Sequence, residues 1–212
     1  MPCTLPASLA DAAVCRGSFH AVLGGEAGEA VFADFSAALQ KAQAEGRILT
    51  ASLFRYENHL FFYAEGLNRP FTPQGLCPAL DAALLPWPPA LGEAAPRPWA
   101  AMQPYFYHDV PTTAADWQQG RCPQRRRGRI ALLPPDSWCS YMEHHLRIVT
   151  EGLVEGDRWH LICVQEGVLF SYLEEPRTNV NIKHQPGAHS PELDAWIAAD
   201  PESHFARFTP EQ

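Results

Sequence analysis

Residues 141–148 read YMEHHLRI, and the two adjacent histidines of this stretch, His144 and His145, are suited to acid/base chemistry. Histidine changes its charge near neutral pH, so it can take up and release protons under ordinary conditions. Successive residues of an α-helix point about 100° apart, so only one of two adjacent histidines can face the apolar side of a helix. His145 lies four residues after Tyr141, a spacing that places both side chains on the same face of a helix. We therefore predict that His145 faces the interior beside Tyr141 and that His144 flanks it.

Further polar and aromatic side chains follow on the strands expected to face this helix. His160 is the second candidate acid/base residue, although only one of the consecutive residues Trp159 and His160 can face the helix if both lie on a strand. The segment 174–184, EEPRTNVNIKH, is rich in groups that bind ligands from loops. Core packing of the aromatic residues and a solvated loop are the competing interpretations. The predicted substrate-binding residues are His144, Trp159, Tyr172, Glu174, Arg177, Asn179 and Asn181.

A metal site is a weaker interpretation of the same residues. The chain has nine histidines, but adjacent histidines on a helix diverge, and no pair is spaced four residues apart as helical zinc ligands are. The six cysteines include no C-x-x-C pair, so their spacing fits neither a zinc site nor a disulfide framework. No nucleophile elbow or phosphate-binding loop is present. We expect no metal and no cofactor.

The chain repeats itself at an offset of about 110 residues, which indicates a duplication. AEGRILTASLFRYENHLFFYAEG at 44–66 matches VEGDRWHLICVQEGVLFSYLEE at 154–175 with one single-residue gap. Both stretches begin with a glycine suited to a helix C-cap, continue into a strand and end in L-F-x-Y-x-E. The position that matches His145 in the first copy is Phe35. We therefore expect a site of this kind in the second copy alone.

Extending the match outward predicts the element order β-α-β-β-α-β twice, which is the ferredoxin-like arrangement. Such a sheet has helices on one face, so its other face must be buried against something else. The predicted fold is α+β, with two ferredoxin-like repeats packed as an internal dimeric α/β barrel. In the first copy the predicted elements are a strand at 18–24, a helix at 28–45, a hairpin at 47–66, a helix at 73–85 and a strand at 102–110. In the second they are a strand at 128–133, a helix at 136–154 capped by Asp136, a hairpin at 158–175 with its first strand starting at Trp159, a helix at 190–199 and a strand at 204–209.

The predicted domain boundaries follow from these two copies. We expect an N-terminal extension at 1–16, a first, structural repeat at 17–111, a linker at 112–127 and a second repeat at 128–212 that holds the site. The short basic cluster at 121–129 is interpreted as part of the solvated linker.

Composition limits the class of partner. A net charge of −8 argues against a general nucleic-acid binder, which needs a basic face for the phosphates. No apolar run approaches the roughly 20 residues of a membrane helix, and the N-terminus lacks the features of a signal peptide. We therefore expect a cytoplasmic protein with reduced cysteines and a small-molecule ligand, either a monomer with an internal pseudo-dimer or a homodimer.

The second copy resembles the L-rhamnose mutarotase family, whose pattern combines Pro-Asp, a tyrosine, a histidine four residues later, a glycine before an aromatic strand and an apolar hairpin. The resemblance implies a ferredoxin-like dimeric α/β barrel and the interconversion of α and β sugar anomers. It covers most of the second copy and the first copy only in outline. The matching residues are Pro135, Asp136, Tyr141, His145, Gly156, Trp159, His160, Leu169 and Phe170.

The favoured function is therefore a mutarotase-like isomerase of a small sugar or related polar metabolite. His145 and His160 would exchange protons with the substrate, and Tyr141 would bind a hydroxyl group. One alternative is a cofactor-free monooxygenase or lyase, because this scaffold supports many chemistries. The other is a non-catalytic module that only binds a small ligand.

Overall fold

A computed structural model describes residues 6–150 and 156–177, together with the isolated positions 191, 194 and 198. The chain divides into two compact units, the first formed by Met1–Met102 with Pro111–Cys122 and the second by Gln103–Val110 with Pro123–Gln212. Each unit contains a four-stranded antiparallel sheet. The predicted α+β class is therefore confirmed. Within the part of the chain that the structure describes, no helix is both long and apolar enough to cross a membrane.

The first unit follows the predicted element order closely, and its sheet has the strand order β2-β3-β1-β4. This arrangement is compatible with a ferredoxin-like repeat. Its elements are β1 (Val14–Val22), α1 (Glu29–Ala44), β2 (Ile48–Tyr56), β3 (His59–Leu67), α2 (Pro78–Ala82), β4 (Ala100–Ala101) and α3 (Ala114–Gln118).

Strand β3 is the centre of the first unit, since all nine of its residues are buried. Alternate residues of a strand point to opposite faces of the sheet. Phe62 faces α1, where its ring meets Phe35 edge-on at 5.7 Å and Trp99 at 6.1 Å between ring centroids. Tyr63 and Glu65 therefore belong to the opposite face. Both faces of β3 are thus buried, one of them around polar groups.

The second unit has the strand order β5-β7-β8-β6. Its hairpin turns tightly at Glu166 and Gly167, which both have positive φ angles, 48° and 82°. The elements are β5 (Gln103–Tyr107), β6 (Arg125–Leu132), a 3₁₀ turn (Pro135–Ser137), α4 (Trp138–Thr150), β7 (Leu161–Gln165) and β8 (Val168–Glu175).

The pairing of the strands reproduces the repeat seen in the sequence. In the first unit, Arg16 of β1 lies opposite Glu65 of β3. In the second unit, Arg126 of β6 lies opposite Glu174 of β8. The matching residues of the L-F-x-Y-x-E motif therefore occupy the same place in the two sheets.

The strand predicted at 102–110 lies in a different sheet from the one expected. It does not join the sheet of the first copy, because β4 pairs with β1 while β5 pairs with β7 of the second unit. The following residues, 111–122, return to the first unit. The segment 112–127 is not a plain linker, since it contains α3 and the start of β6. The basic cluster at 121–129 likewise lies largely in β6.

Three local predictions also need correction. The helix expected at 73–85 is only the short α2, which begins at Pro78 because proline suits the first turn of a helix. Asp136, predicted to be a helix N-cap, lies instead inside the 3₁₀ turn before α4, and the N-cap of that turn is Pro134. The strand expected from Trp159 begins two residues later, at Leu161, since residues 157–160 form a turn. The helix predicted at 190–199 lies outside the described residues except at the isolated positions named above, and the strand at 204–209 lies outside them entirely.

Candidate functional site

Helix α4 places Tyr141 and His145 on the same face, as their spacing of four residues predicts. Tyr141 is buried in the core of the second unit, and His145 is half-buried one turn later. Their ring centroids lie 4.1 Å apart. This face of α4 packs against the sheet through the cluster that includes Phe106 and Ile162. The histidine is therefore positioned between the helix and the sheet.

One hydrogen bond defines which nitrogen of His145 can accept a proton. Nδ1 of His145 lies 2.9 Å from the carbonyl oxygen of Tyr141. A carbonyl oxygen can only accept, so Nδ1 must carry the hydrogen. In the neutral ring, the lone pair then belongs to Nε2. His145 is thus oriented in the way that a general base requires.

Strand β5 brings an aromatic ring, Phe106, into contact with three imidazoles. Phe106 meets His145 edge-on at 5.0 Å and His160 at 5.8 Å between ring centroids. It also meets His108 edge-on at 4.8 Å. Buried Phe106 therefore gathers three histidines that are far apart in sequence. We call Tyr105, Phe106, His108, Tyr141, His145 and His160 the histidine cluster.

Tyr105 adds a second phenol beside Tyr141. Their rings are 5.7 Å apart, and the Tyr105 hydroxyl is shielded from solvent. That hydroxyl makes no hydrogen bond of good geometry with any described residue, but the neighbouring Tyr141 hydroxyl is close enough to influence it. Burial, and then the proximity of Tyr141, raise the pKa of Tyr105 far above its ordinary value. Tyr105 is therefore less acidic than an ordinary tyrosine.

His108 and His160 form the other side of the histidine cluster, with ring centroids 6.2 Å apart and planes inclined by 30°. Burial lowers the pKa of His108, Asp157 opposes this change, and Arg177 reinforces it. A Cβ atom at Gly156 would overlap the His108 ring, so a larger residue there would require this ring to move. These contacts favour a neutral imidazole at position 108.

Arg177, predicted to bind substrate, lies beside this side of the histidine cluster. Its Nε atom is 2.9 Å from Oδ2 of Asp157, a buried residue. The backbone oxygen of Asp157 in turn accepts a hydrogen bond from the backbone nitrogen of His160. Asp157 therefore links the loop after β8 to the turn that holds His160.

Tyr172 and Glu174 lie on the opposite face of the sheet from Tyr141 and His145. Leu169 belongs to the core beneath α4, and the alternation of side chains along β8 directs Tyr172 and Glu174 to the other face. There the Tyr172 hydroxyl donates to Oε1 of Glu174 at 2.5 Å. The structure therefore does not unite these two residues with the histidine cluster, in contrast to the single pocket expected from the sequence.

The remaining predicted residues are less closely connected. Trp159 is half-buried in the turn before β7. Nδ1 of His144 donates to the carbonyl oxygen of Ser140 at 2.7 Å, which holds this ring along its own side of α4. Asn179 and Asn181 lie outside the described residues.

Sequence reasoning missed four residues of this region: Tyr105, Phe106, His108 and Asp157. The first three were assigned to the last strand of the first repeat, so they were not considered together with α4. The dense aromatic and histidine content of YFYHD at 105–109 was the available signal.

Among the described residues, no group of three or more His, Cys, Asp or Glu side chains is arranged to hold a metal ion. No protein-family model, curated protein or solved structure matches this chain. The resemblance to mutarotases therefore remains a prediction, and the function has to be argued from the histidine cluster.

Proposed function

We propose that the second unit is an acid/base isomerase of a small polar metabolite, with the exchange of sugar anomers as its reaction. The observation that carries this proposal is the gathering of Tyr141, His145 and His160 around Phe106. Tyr141 and His145 come from α4, His160 from the turn before β7 and Phe106 from β5. Two imidazoles and a phenol in one cluster supply both proton acceptors and proton donors.

Anomer exchange requires one proton to leave the C1 hydroxyl and another to reach the ring oxygen. The ring then opens to the aldehyde, which rotates and closes from its other side. Nε2 of His145 is the proposed acceptor, because Nδ1 is engaged with the Tyr141 carbonyl oxygen. His160 is the proposed donor. Because neither step is a redox reaction, no electron acceptor is needed.

The two tyrosines would supply hydrogen bonds to the hydroxyl groups of the sugar. A phenol is protonated at neutral pH and can donate a hydrogen bond. The Asp157–Arg177 pair beside His108 adds a charged group at the edge of the same region.

The test is magnetisation-transfer NMR of α/β exchange across a panel of free sugars. We expect the wild-type protein to accelerate exchange of at least one sugar. His145→Gln should lower that acceleration about a hundredfold, since a positioned acid or base contributes a factor of this order. His144→Gln, the matched control on the neighbouring helix position, should retain activity.

Three outcomes would contradict the proposal. If no sugar exchanges faster with the protein than without it, the mutarotase activity is wrong. If exchange occurs but survives His145→Gln, the assigned site is wrong. If a sugar raises the melting temperature without any exchange, the second unit is a binding module, because a ligand that binds the native state stabilises it without turnover.

We further propose that the two sheets pack as an internal dimeric α/β barrel. Support comes from the repeated Arg–Glu register and from the passage of the chain from β4 in one sheet to β5 in the other. A barrel of this kind predicts that both units unfold in one cooperative urea transition. Unfolding will be monitored by circular dichroism and tryptophan fluorescence. Two separate transitions would contradict the barrel.

A further inference from the structure

We propose that the first unit contains an anion-binding cleft, which takes a small organic anion with a phosphate or carboxylate group and an apolar part. This inference is independent of the histidine cluster and of the proposed isomerase activity. We call the site the α1–β2 cleft, because it lies beside the end of α1, the start of β2 and the segment 69–76.

The α1–β2 cleft is large enough for a metabolite. Its volume is about 640 Å³, within the range of small-molecule sites. Its charged and aromatic lining is Lys41, Glu45, Arg47, Arg69 and Phe71. A single concave surface therefore combines cationic groups with an aromatic wall.

The charge of the cleft is opposite to that of the chain. Three basic side chains face one acidic side chain here, whereas the whole chain carries a net charge of −8. Glu45 lies 4.0 Å from Nζ of Lys41 and 3.2 Å from Nε of Arg47. Arg69 is exposed and has no ion-pair partner among the residues that the structure describes. The cleft therefore keeps an excess of positive charge that an anion would balance.

Arg47 is held in place without using all of its donors. Its guanidinium lies over the Phe71 ring at 5.6 Å, a cation–π contact. Nε is buried, and its contact with Glu45 does not have the geometry of a hydrogen bond. Arginine offers five N–H donors in a planar fork that matches phosphate and carboxylate groups. Arg47 is thus preorganised for an anion, with Phe71 beside it for an apolar substituent.

The wall that carries Arg69 and Phe71 packs tightly on the sheet. A Cβ atom at Gly66 of β3 would lie 2.2 Å from the Arg69 carbonyl oxygen and 3.0 Å from the Phe71 backbone nitrogen. Glycine alone permits this approach of the loop to the strand. The segment at 69–71 is therefore fixed against a buried strand, which limits the ordering cost of binding.

The carboxyl end of a helix offers a competing explanation for part of this charge. The helix dipole favours a basic residue in the last turn of α1, which accounts for Lys41. It does not account for Arg69, which belongs to the loop after β3. The dipole also gives no reason for the concave shape or for Phe71.

The test is a titration of the ¹⁵N-labelled full chain, followed by amide chemical shifts, with inorganic phosphate, phenyl phosphate, benzoate and phenol. We expect shifts at 41–47 and 69–76, with phenyl phosphate or benzoate binding more tightly than inorganic phosphate and phenol causing none. The stronger of the two aryl anions identifies the anionic group that the cleft prefers.

Variants separate the contributions of charge and ring. Arg69→Gln should weaken binding of the preferred aryl anion about fivefold, the effect of one exposed ionic contact. Phe71→Leu should remove the advantage of that anion over inorganic phosphate. Arg55→Gln, an exposed arginine on β2 outside the cleft, is the matched control and should bind as the wild type does. Unchanged melting temperatures will verify that the variants fold.

Several results would overturn the proposal. One is the absence of shifts at 41–47 and 69–76. Another is equal affinity at the basic residues 125–129 of β6, which would mean non-specific attraction of anions. Binding of phenol as strong as that of phenyl phosphate, or full affinity in Arg69→Gln, would also contradict an anion site.

Discussion

In the first unit, the tyrosine–glutamate pair Tyr63 and Glu65 is surrounded by further hydrogen-bond donors. The Tyr63 hydroxyl donates to Glu65 at 2.6 Å, while Trp117 and Arg121 donate to the same carboxylate, Arg121 through two nitrogens at 2.7 and 3.0 Å. The side chains of Arg121 and Glu65 are 2% and 0% exposed. A buried ion pair of this kind is costly to break, because the remaining charge loses its partner in a low-dielectric environment.

Arg121→Met is therefore expected to destabilise the first unit strongly, by about 3–5 kcal/mol. Urea unfolding followed by tryptophan fluorescence will measure the change, since Trp117 touches the same carboxylate. Arg127→Met is the matched control. The Arg127 and Glu175 side chains are 42% and 33% exposed, so their ion pair should contribute less than about 1 kcal/mol. Equal midpoints for the two variants would refute the special role of the buried pair.

The first unit also contains a buried pair of histidines, His20 and His59, whose ring nitrogens lie 2.9 Å apart. His20 stacks on Phe61 at 4.7 Å with nearly parallel rings. Burial lowers the pKa of His59, and the nearby carboxylate of Glu57 only partly opposes this. The folded protein thus takes up a proton at His59 less readily than the unfolded chain does.

The pH dependence follows from this difference in proton binding. The stabilising contribution of neutral His59 is complete above the unfolded pKa of about 6.5 and is lost as the pH falls below it. We expect the urea midpoint to decrease between about pH 7 and pH 5. His59→Asn should reduce that dependence but not abolish it, because burial also lowers the pKa of His108. NMR titration of the His59 ring with a midpoint at or above 6.5 would disprove this account.

The loop at 69–71 packs so closely on strand β3 that it restricts which residue can stand at Gly66. Gly66→Ala would place a methyl group 2.2 Å from a backbone oxygen, which no side-chain rotation can relieve. We expect a loss of about 1–3 kcal/mol or more, the usual range for overpacking. Gly25→Ala is the control, since a Cβ there meets nothing within 4 Å. Thermal unfolding will compare them, and a neutral Gly66→Ala would show that the loop can move away.

Elements with a strong local pattern were predictable, and those that depend on distant partners were not. Helix α1 and both hairpins agree closely with expectation, because amphipathic spacing and turn residues are local signals. Strand β5 was recognised as a strand but assigned to the wrong sheet. Nothing in its own residues specifies which sheet edge it pairs with, since backbone hydrogen bonds are the same at either edge.

The candidate site was predictable to the same degree. Helical spacing was sufficient to place Tyr141 and His145 together. The separation of Tyr172 and Glu174 required the register of β8, and a change of one residue in register reverses every side chain. Tyr105, Phe106 and His108 could not be added to the site until β5 was known to lie beside β7.

The second unit depends on a segment that precedes part of the first unit in the chain. Strand β5 pairs along β7 and contributes Phe106 to the core beneath α4. A fragment of residues 123–212 would lack this strand and ring. We expect the fragment to be largely unfolded by circular dichroism, whereas residues 103–212 should retain more strand structure and a higher urea midpoint. Equal stability of the two fragments would show that β5 is dispensable.

The crossing of the chain from β4 to β5 also has a consequence for ancestry. The chain passes from the first unit to the second, back again and then over once more. If a duplication produced the two halves, each has since given up the property of a self-contained module. Neither can now be transferred to another gene as one contiguous segment without part of the other, because the sequence repeat and the folding unit no longer have the same boundaries. The histidine cluster uses residues from both sides of that exchange, so the proposed site would be inherited only if β5 accompanied the second repeat.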